Sequence, residues 1–314
     1  MKIVFLGTPQ IACGFLNKLH TDGYKIIGVI SQPDKVQGRG LCLKCPPVKT
    51  EALNLCIPVY QPDTDAAVSD IINSLKPDLC IAIAYGRFLK KDVLSIPKFG
   101  FLNIHFSLLP KYRGAAPVQH ALIKGEEKTG VTAFWIEEKM DAGPIFQTLE
   151  VSILPQDDSI SLFEKLQDAG VKLLLNCLSE IKKGNLMRNP QIGTPTFAPR
   201  LEKKDSWLDF KNEASVVCNK VRGLVCGPKA RFYSFVSGKK IIVQVLKASL
   251  SACSSEKKAG IGEIASIETA KGFYIQCTDS AVFIEQVQPE GKKPMNAADF
   301  INGARFKVGD KIAI

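Results

Sequence analysis

Several features that mark other classes of protein are absent from the 314-residue sequence. It contains no run of about eighteen consecutive apolar residues, the length that a helix needs to cross a lipid bilayer. An apolar strand begins directly after Met1 and Lys2, which leaves no room for a signal or transit peptide. The sequence therefore predicts a cytoplasmic protein that is not embedded in a membrane.

Motifs for three common kinds of site are also missing. The turn Gly7-Thr8-Pro9 after the first strand lacks the spacing Gly-x-Gly-x-x-Gly, so a dinucleotide cofactor is not expected. Cys42 and Cys45 have no second pair to complete four zinc ligands, and we expect no bound metal. No Gly-x-Ser-x-Gly elbow surrounds Ser107, so this serine is not expected to be a nucleophile.

Disulfide bonds are not expected, although the chain contains ten Cys. The cysteines are scattered through apolar runs, as Cys80, Cys177 and Cys277 illustrate. Cysteines in such surroundings are typical of reduced intracellular proteins, in which they behave as small apolar side chains. We therefore predict free thiols.

Acidic residues are outnumbered by basic ones, 31 against 41, which gives a formal net charge of +10 and a pI near 9.0. From residue 207 onward, sixteen Lys and Arg face ten Asp and Glu, so this part carries +6 of the total. A basic surface favours a polyanionic partner such as RNA or DNA, because its cations neutralise phosphates. A cationic enzyme without such a partner has the same composition, so charge alone leaves both readings open.

The first half of the chain alternates apolar, strand-like runs with helical patterns. This alternation predicts an α/β domain with a mostly parallel, Rossmann-like sheet covered by helices. Thr8 is placed to cap the first helix, with Pro9 at its first position. In such sheets, ligands bind at the carboxyl ends of the strands. The predicted strands are residues 2–6, 25–31, 79–84, 99–104 and 131–136.

The last third of the chain has a different pattern. Residues 207–222 are typical of a weakly amphipathic helix, and five short strand-like runs separated by turns follow it. This pattern predicts a small, OB-like β-barrel domain of the oligonucleotide-binding kind. We expect a catalytic domain over residues 1–188, a Pro-rich linker over 189–206 and the barrel domain over 207–314. The predicted barrel strands are residues 231–236, 240–250, 261–267, 272–277 and 281–288.

Three polar residues lie in otherwise apolar surroundings and have side chains suited to acid–base chemistry. Asn103 and His105 are two residues apart in a predicted strand, so their side chains leave the same face of it. Asp141 lies in a loop punctuated by Gly143 and Pro144. Each residue alone is commonly structural, but of the three His only His105 has a polar partner at i−2 on the same face of a strand. We predict that Asn103, His105 and Asp141 form one catalytic site.

The motif Asn-x-His-x-Ser-Leu-Leu-Pro over residues 103–110 resembles the formyltransferases that use 10-formyltetrahydrofolate. Arg-Gly-Ala-Ala-Pro over 113–117 and Met-Asp-Ala-Gly over 140–143 strengthen the resemblance, which covers most of the chain. Phe106 stands where the family commonly has Gly, so we expect the backbone on the cofactor side to accommodate a bulky ring. Val-Cys-Gly-Pro over 225–228 replaces the family's Asn-Pro-Trp-Pro. Further matching segments are residues 5–9, 32–34, 38–40, 47–49, 84–86 and 197–201.

The resemblance implies acyl transfer, in which a free amine attacks a formyl carbon. We expect His105 to act as the base and Asn103 to donate a hydrogen bond to the developing oxyanion. Asp141 would orient His105 and shuttle protons. The family implies 10-formyltetrahydrofolate as the formyl donor and needs no metal. Its folate site would be lined by Ser107, Leu108, Leu109, Pro110, Tyr85, Gly86 and Leu89.

The acceptor follows from the charge pattern and the resemblance together. A basic loop rich in Gly and Pro over residues 32–49 and the basic barrel domain favour a large polyanion, and within the family initiator methionyl-tRNA. Two alternatives stay open. One is a formyltransferase for a small amine, either a nucleotide sugar or a ribonucleotide, and the other is a non-enzymatic RNA-binding protein. We expect a monomer that contacts tRNA through Arg39, Lys44, Lys49, Arg222, Lys292 and Lys293.

Overall fold

The computed structural model describes residues 1–37, 42–250 and 259–313. The chain divides into two compact units. The first comprises Met1–Gly114, Lys128–Ser152 and Phe163–Phe197, and the second comprises Ala115–Glu127, Ile153–Leu162 and Ala198–Ile314. The chain therefore passes between the units several times. The boundaries at residues 188 and 207 stay a prediction about independently folding domains.

A seven-stranded sheet forms the centre of the first unit. The strands of the sheet are β1 Lys2–Gly7, β2 Lys25–Ile30, β5 Val59–Tyr60, β6 Leu79–Ile83, β7 Phe101–His105, β8 Lys128–Trp135 and β9 Ile145–Ser152. Two further strands, β3 Lys35–Gln37 and β4 Cys42–Lys44, form a separate antiparallel pair. The order in the sheet is β5-β2-β1-β6-β7-β8-β9. The first five strands in this order, β5-β2-β1-β6-β7, pair in parallel, whereas β8 and β9 run antiparallel at one edge. The predicted mostly parallel, Rossmann-like sheet is confirmed.

Helices connect the strands. In the described residues they are α1 Gln10–Thr21, α2 Pro47–Asn54, α3 Asp65–Leu75, α4 Lys91–Leu94, α5 Pro117–Ile123, α6 Ser159–Lys182, α7 Ala214–Gly223 and α8 Ala297–Ala304. A short 3-10 helix spans Lys203–Ser206. Among these helices, none combines the length and the apolar character that crossing a membrane requires.

Phe106 occupies the apolar core of the first unit. Its ring packs edge to face against the rings of Phe15 and Phe163, with centroids 6.2 and 6.4 Å away. Only 8% of the residue is exposed. The expectation that the cofactor side must accommodate this ring is therefore wrong, because the strand alternation turns Phe106 away from its neighbour His105.

Thr8 does not cap the first helix, contrary to the prediction. Pro9 occupies the N-cap position of α1, and no side chain caps this end. The Thr8 hydroxyl instead donates to the carbonyl oxygen of Tyr85 at 2.9 Å. Gln32 donates to the same carbonyl at 3.1 Å. These bonds tie together the segments that follow β1, β2 and β6, at the edge of the sheet where ligands are expected.

An antiparallel sheet forms most of the second unit. Its strands are β10 Arg231–Val236, β11 Lys239–Leu250, β12 Ile264–Glu268, β13 Gly272–Gln276, β14 Ala281–Pro289 and β15 Met295–Asn296. The order is β10-β11-β14-β13-β12, and β15 pairs with β14. This sheet is consistent with the predicted small barrel domain, and five of its strands lie within a few residues of their predicted positions.

Two elements near this sheet differ from the sequence interpretation. The helix predicted over residues 207–222 begins only at Ala214, in α7. The Trp207 ring stacks on the Tyr233 ring with centroids 4.2 Å apart, and the Leu208 amide donates to the Arg231 carbonyl. Those contacts hold residues 207 and 208 in extended backbone beside β10. Helix α8 was not predicted.

The prediction of free thiols is confirmed for the eight cysteines whose side chains the structure describes. Burial raises the pKa of Cys13 to about 11 and the pKa of Cys177 to about 12, so both thiols are protonated at neutral pH. The side chain of Cys42 lies outside the described residues, and the pairing of Cys42 with Cys45 therefore stays untested.

Two glycines of the second unit are expected to respond to alanine in opposite directions. A Cβ at Gly272 in β13 would lie 2.1 Å from the Ile284 carbonyl oxygen, whereas at Gly303 in α8 it would meet nothing within 4 Å. Gly272→Ala should destabilise the protein by about 1–3 kcal/mol through overpacking. Gly303→Ala should stabilise it by roughly 0.5–1 kcal/mol, since glycine is unfavourable inside a helix. Urea unfolding curves of both variants and of the wild type test this. A Gly272→Ala variant with the same urea midpoint as the wild type would contradict the packing at Gly272.

Candidate active site

Strand β7 brings two of the predicted catalytic residues to one face of the sheet. Asn103 pairs with Ala82 of β6 and Phe134 of β8, and His105 pairs with Thr132 of β8. The strand is thus flanked on both sides, and its last residues lie at the carboxyl edge of the parallel strands. His105 is 6% exposed. Both side chains therefore occupy the position at which α/β sheets bind ligands.

The orientation of the His105 ring is fixed by a backbone carbonyl. Its Nε2 atom lies 2.9 Å from the carbonyl oxygen of Tyr112. A carbonyl oxygen can only accept a hydrogen bond, so Nε2 carries the proton in the neutral ring. Nδ1 is then the basic nitrogen, and it lies 3.8 Å from Oδ2 of Asp141. The neutral ring thus presents a proton acceptor next to a carboxylate.

Asp141 reaches His105 from the loop between β8 and β9. Its backbone has a φ of 48°, the left-handed region that side-chain-bearing residues seldom adopt. Oδ2 accepts a hydrogen bond from the Gly114 amide at 2.8 Å, which holds the carboxylate at the ring. A proton taken up by Nδ1 would lie beside this oxygen.

The third predicted residue has an unused polar atom. Oδ1 of Asn103 is buried and has no hydrogen-bond partner among the described residues. Leaving a buried polar atom unpaired costs about 1–3 kcal/mol, which a substrate hydrogen bond would recover. The oxygen and nitrogen of an amide exchange places by a simple flip, so either can face a ligand. Asn103 is accordingly available to bind a reacting group.

The loop after β7 is held by hydroxyl groups of Ser107 and Thr132. Ser107 Oγ donates to the Lys111 carbonyl at 2.6 Å, and Thr132 Oγ1 donates to the Ser107 carbonyl at 2.7 Å. Thr132 Oγ1 also accepts from the Leu109 amide at 3.1 Å. Ser107 is completely buried and its hydroxyl is occupied. This geometry gives Ser107 a structural role in shaping the loop, and its place in a folate site stays a prediction.

The other residues predicted to bind folate differ in exposure. Leu108 and Pro110 are half-buried and Gly86 is exposed, so ligand contact is open to them. Leu109, Tyr85 and Leu89 are buried, and the last two belong to an apolar core cluster of the first unit. Gly86 has a φ of 77° and its carbonyl accepts from Gln32. The folate assignments of these residues stay predictions.

The residues predicted to contact tRNA differ in exposure and in the partners they already have. Lys44, Lys292 and Lys293 are exposed, whereas Arg39 lies outside the described residues. Lys49 forms a 2.7 Å ion pair with Asp34, and hydrogen bonds from Lys49 and Gln61 lower the pKa of Asp34.

Arg222 differs from the other predicted contacts because its guanidinium is used inside the second unit. It donates to the carbonyls of Leu154 and Asp157 and to the Asn219 side chain, and burial lowers its pKa. These bonds favour a structural role for Arg222, and its contact with tRNA stays a prediction.

Sequence reasoning missed Gln191, which was assigned to the linker. Its Nε2 atom donates to the carbonyls of Asp141 and Gly143, each at 2.8 Å. Its Oε1 atom accepts from Arg113 Nε at 3.2 Å and Nη2 at 2.6 Å. Gln191 therefore fixes the backbone of the loop that carries Asp141. A glutamine in a Pro-rich stretch carries no pattern that could have revealed these bonds.

In the described part of the chain, no group of three or more His, Cys, Asp and Glu side chains is placed to hold a metal ion. The first unit combines an oriented imidazole, a carboxylate and an amide with an unpaired oxygen at the carboxyl edge of a mostly parallel sheet. Such groups move protons and donate hydrogen bonds to a reacting carbonyl. Fold and site together define an α/β enzyme equipped for acyl transfer.

Comparisons with known proteins give this class a family. Residues 1–178 match the formyl transferase family model, and residues 200–305 match the model of the formyl transferase C-terminal domain. A methionyl-tRNA formyltransferase from Elusimicrobium minutum is 41% identical, and the alignment covers 99% of each chain. The chain belongs to the formyl transferase family.

Two solved structures share the fold at 20% sequence identity, which supports the fold alone. HypX from Aquifex aeolicus in complex with tetrahydrofolic acid has a TM-score of 0.66 and aligns with 98% of this chain. The alignment covers 48% of HypX, so the chain spans about half of its length. An N-formyltransferase from Helicobacter canadensis, in complex with folinic acid and dTDP-3-aminofucose, has a TM-score of 0.69 and covers 92% of this chain and 100% of that one.

We expect Gln191→Leu to lower the rate of formyl transfer at least tenfold, because the loop that carries Asp141 loses its two amide donors. Folding should persist with a loss of roughly 1–3 kcal/mol from the missing hydrogen bonds. Steady-state rates and thermal melts of the variant test this. Gln286→Ala, at an exposed position in β14, is the control and should leave both quantities unchanged. A Gln191→Leu enzyme with full turnover would contradict the role of Gln191.

Proposed function

We propose that this protein transfers the formyl group of 10-formyltetrahydrofolate to the free α-amino group of initiator methionyl-tRNA. The product, formylmethionyl-tRNA, serves translation initiation. The observation that carries the proposal is the His105–Asp141 pair at 3.8 Å, together with the buried and unpaired Oδ1 of Asn103 on the same strand. It is supported by matches to both domains of the formyl transferase family and by a full-length relative with this activity in its name.

His105 acts as the base. The hydrogen bond to the Tyr112 carbonyl occupies Nε2, which leaves Nδ1 to take the proton that the attacking amine loses. The charge that forms on the ring is stabilised by the Asp141 carboxylate 3.8 Å away. Burial strengthens this electrostatic interaction, because little water screens it.

Asn103 stabilises charge on the oxygen of the reacting carbonyl. An amide NH2 group donates a hydrogen bond without titrating, so its contribution does not depend on pH. Removing one such donor from an acyl-transfer site typically costs about 100- to 1000-fold in turnover. The unpaired atom in the structure is Oδ1, and a flip of the side-chain amide places its NH2 group at that position, where it can donate to the reacting oxygen.

The formyl donor when bound supplies the reactive carbon and a nitrogen leaving group. The residues available to hold its flat ring are the half-buried Leu108 and Pro110 and the exposed Gly86, with Leu109, Tyr85 and Leu89 beneath the surface. Backbone groups and aliphatic side chains of this kind suit an apolar heterocycle.

The acceptor is proposed to be tRNA because the chain combines the catalytic domain with a second, basic domain. Lys44, Lys292 and Lys293 are exposed and have no ion-pair partner among residues 1–37, 42–250 and 259–313. Free lysines of this kind neutralise phosphates. We further propose that the protein acts in the cytoplasm as a monomer. A small amine as the acceptor is the competing proposal.

We expect His105→Ala to reduce formyl transfer by about 100- to 10,000-fold, the usual contribution of a general base. Affinity for tRNA should stay nearly unchanged, whereas the thermal unfolding midpoint should fall, because a buried ring and its hydrogen bond to the Tyr112 carbonyl are lost. His20→Ala, at the exposed end of α1, is the matched control and should retain full activity. A His105→Ala protein with most of its turnover would remove this residue from the mechanism.

The acceptor is decided by an assay with 10-formyltetrahydrofolate and charged initiator tRNA. Uncharged tRNA and a nucleotide-sugar amine are the controls. Formylation of methionyl-tRNA alone supports the proposal. Formylation of the sugar amine alone would replace it, and binding of tRNA without any transfer would favour a non-enzymatic RNA-binding protein.

A further inference from the structure

A cavity of about 540 Å³ lies entirely within the second unit, outside the site described above. Its size falls in the range of about 300–1000 Å³ that is typical of small-molecule sites. Helices α5 and α7 contribute one part of its lining, and the segment that includes the 3-10 helix Lys203–Ser206 contributes the other. The catalytic residues Asn103, His105 and Asp141 do not line it, and the chemistry proposed above gives it no role.

Aliphatic side chains form the apolar part of the lining. They are Ile123 on α5, Val216 and Val217 on α7, and Pro199, Leu201 and Leu208 on the segment between them. The two helices pack closely, since a Cβ added at Gly223 would lie 2.7 Å from the Ile123 side chain. Such a lining suits the face of a flat heterocycle.

Four cationic side chains line the same cavity, namely Lys124, Arg200, Lys204 and Lys220. Two carboxylates, Asp205 and Asp209, line the cavity as well, and Lys204 is paired with Glu202 at 3.0 Å, so four positive and three negative charges give a formal charge of +1. Both carboxylates already accept backbone hydrogen bonds: Asp205 from the Glu202 amide at 2.8 Å, and Asp209 from the Lys211 amide at 3.0 Å. The excess of positive charge favours an anionic ligand.

Lys220 is the cation held most firmly by the fold. It is half-buried, and its Nζ atom donates to the Trp207 carbonyl at 2.7 Å. An ammonium group has three donors, so two remain for a ligand. Burial lowers the pKa of Lys220, and a bound anion would favour its charged form. The Asp205 and Asp209 carboxylates also act on this ammonium group, and a partly buried lysine with two free donors on a cavity wall can bind a phosphate.

Two hydrogen-bond acceptors complete the lining. His120 Nε2 lies 3.0 Å from the Pro199 carbonyl, so this nitrogen carries the proton and Nδ1 remains an acceptor. The Asn212 amide donates to the Asp209 carbonyl at 3.0 Å, while its own oxygen has no donor among the described residues. Acceptors beside an aliphatic surface can recognise the exocyclic amine of a nucleobase.

We infer that this cavity binds a nucleotide, with the base against the aliphatic lining and the phosphate on Lys220 and the neighbouring cations. The nucleotide has two possible sources, a free mononucleotide or one residue of an RNA chain. If the ligand is part of an RNA chain, only the identification of that RNA as tRNA rests on the proposed function.

Isothermal titration of the full-length protein tests the inference with three probes: AMP, a tetra-adenylate RNA and inorganic phosphate. Binding of both AMP and the RNA supports a site for the nucleotide unit, and binding of the RNA alone assigns it to RNA. AMP and RNA that both bind no better than inorganic phosphate would overturn the inference, because the base would then contribute nothing. Absence of binding by all three probes would also overturn it.

Two variants place the binding in this cavity. Lys220→Met removes the ammonium group, and Val216→Trp fills space from a position that is 41% exposed and therefore tolerant of a large side chain. Each should weaken binding at least tenfold while the protein stays folded, as a cooperative thermal melt shows. Lys247→Met, which removes an exposed lysine paired with Glu285, is the control and should bind as the wild type does. Unchanged affinity in both cavity variants would overturn the assignment.

The formyl transfer assay, run on the same preparations, separates the two proposals. A protein that transfers formyl groups but binds no nucleotide in the cavity contradicts only the present inference. A protein that binds AMP through Lys220 but transfers no formyl group contradicts only the proposed function.

Discussion

The proposed chemistry depends on one hydrogen bond, from Nε2 of His105 to the Tyr112 carbonyl. This bond places the proton on the nitrogen that faces the protein and leaves the lone pair on Nδ1, next to Asp141. The opposite tautomer would direct an N–H group toward the carboxylate and leave no base for an amine. A single backbone carbonyl, seven residues along the chain, thus determines whether the imidazole can accept a proton.

The rest of the first unit holds this arrangement in place. Strand β7 supplies Asn103 and His105, flanked by β6 and β8, so their spacing follows from the pleat of the strand. Asp141 comes from a loop, which by itself would be mobile. The Gly114 amide fixes its carboxylate, and Gln191 fixes its backbone while bonded in turn to Arg113. Four segments that are distant in sequence therefore combine in one small volume.

The sequence was sufficient to predict those features of the fold and site that depend on the periodicity of apolar residues. The alternation of strands and helices predicted the parallel sheet, and the short strands after residue 231 predicted the antiparallel one. The i, i+2 spacing predicted that Asn103 and His105 share a face. Such features follow from local chain geometry, which a pattern of apolar residues reveals directly.

Features that depend on contacts between distant residues were missed or misread. Thr8 has the right chemistry for a helix cap, but the Tyr85 carbonyl provides a better partner. Phe106 was expected to affect the cofactor side, whereas the rings of Phe15 and Phe163 bury it in the core. Gln191 lies in a stretch whose prolines indicated a linker. Each outcome was decided by a tertiary contact that local propensity does not encode.

The most direct test is a nitrogen-15 NMR measurement of the imidazole nitrogens at a pH where the rings are neutral. The chain has only three His, so His20→Ala and His120→Ala variants suffice to assign the signals of His105. We predict that His105 is in the Nε2–H tautomer, with Nδ1 unprotonated. A spectrum in which Nδ1 of the neutral ring carries the proton would contradict the account, because His105 could not then accept the proton of the attacking amine through Nδ1.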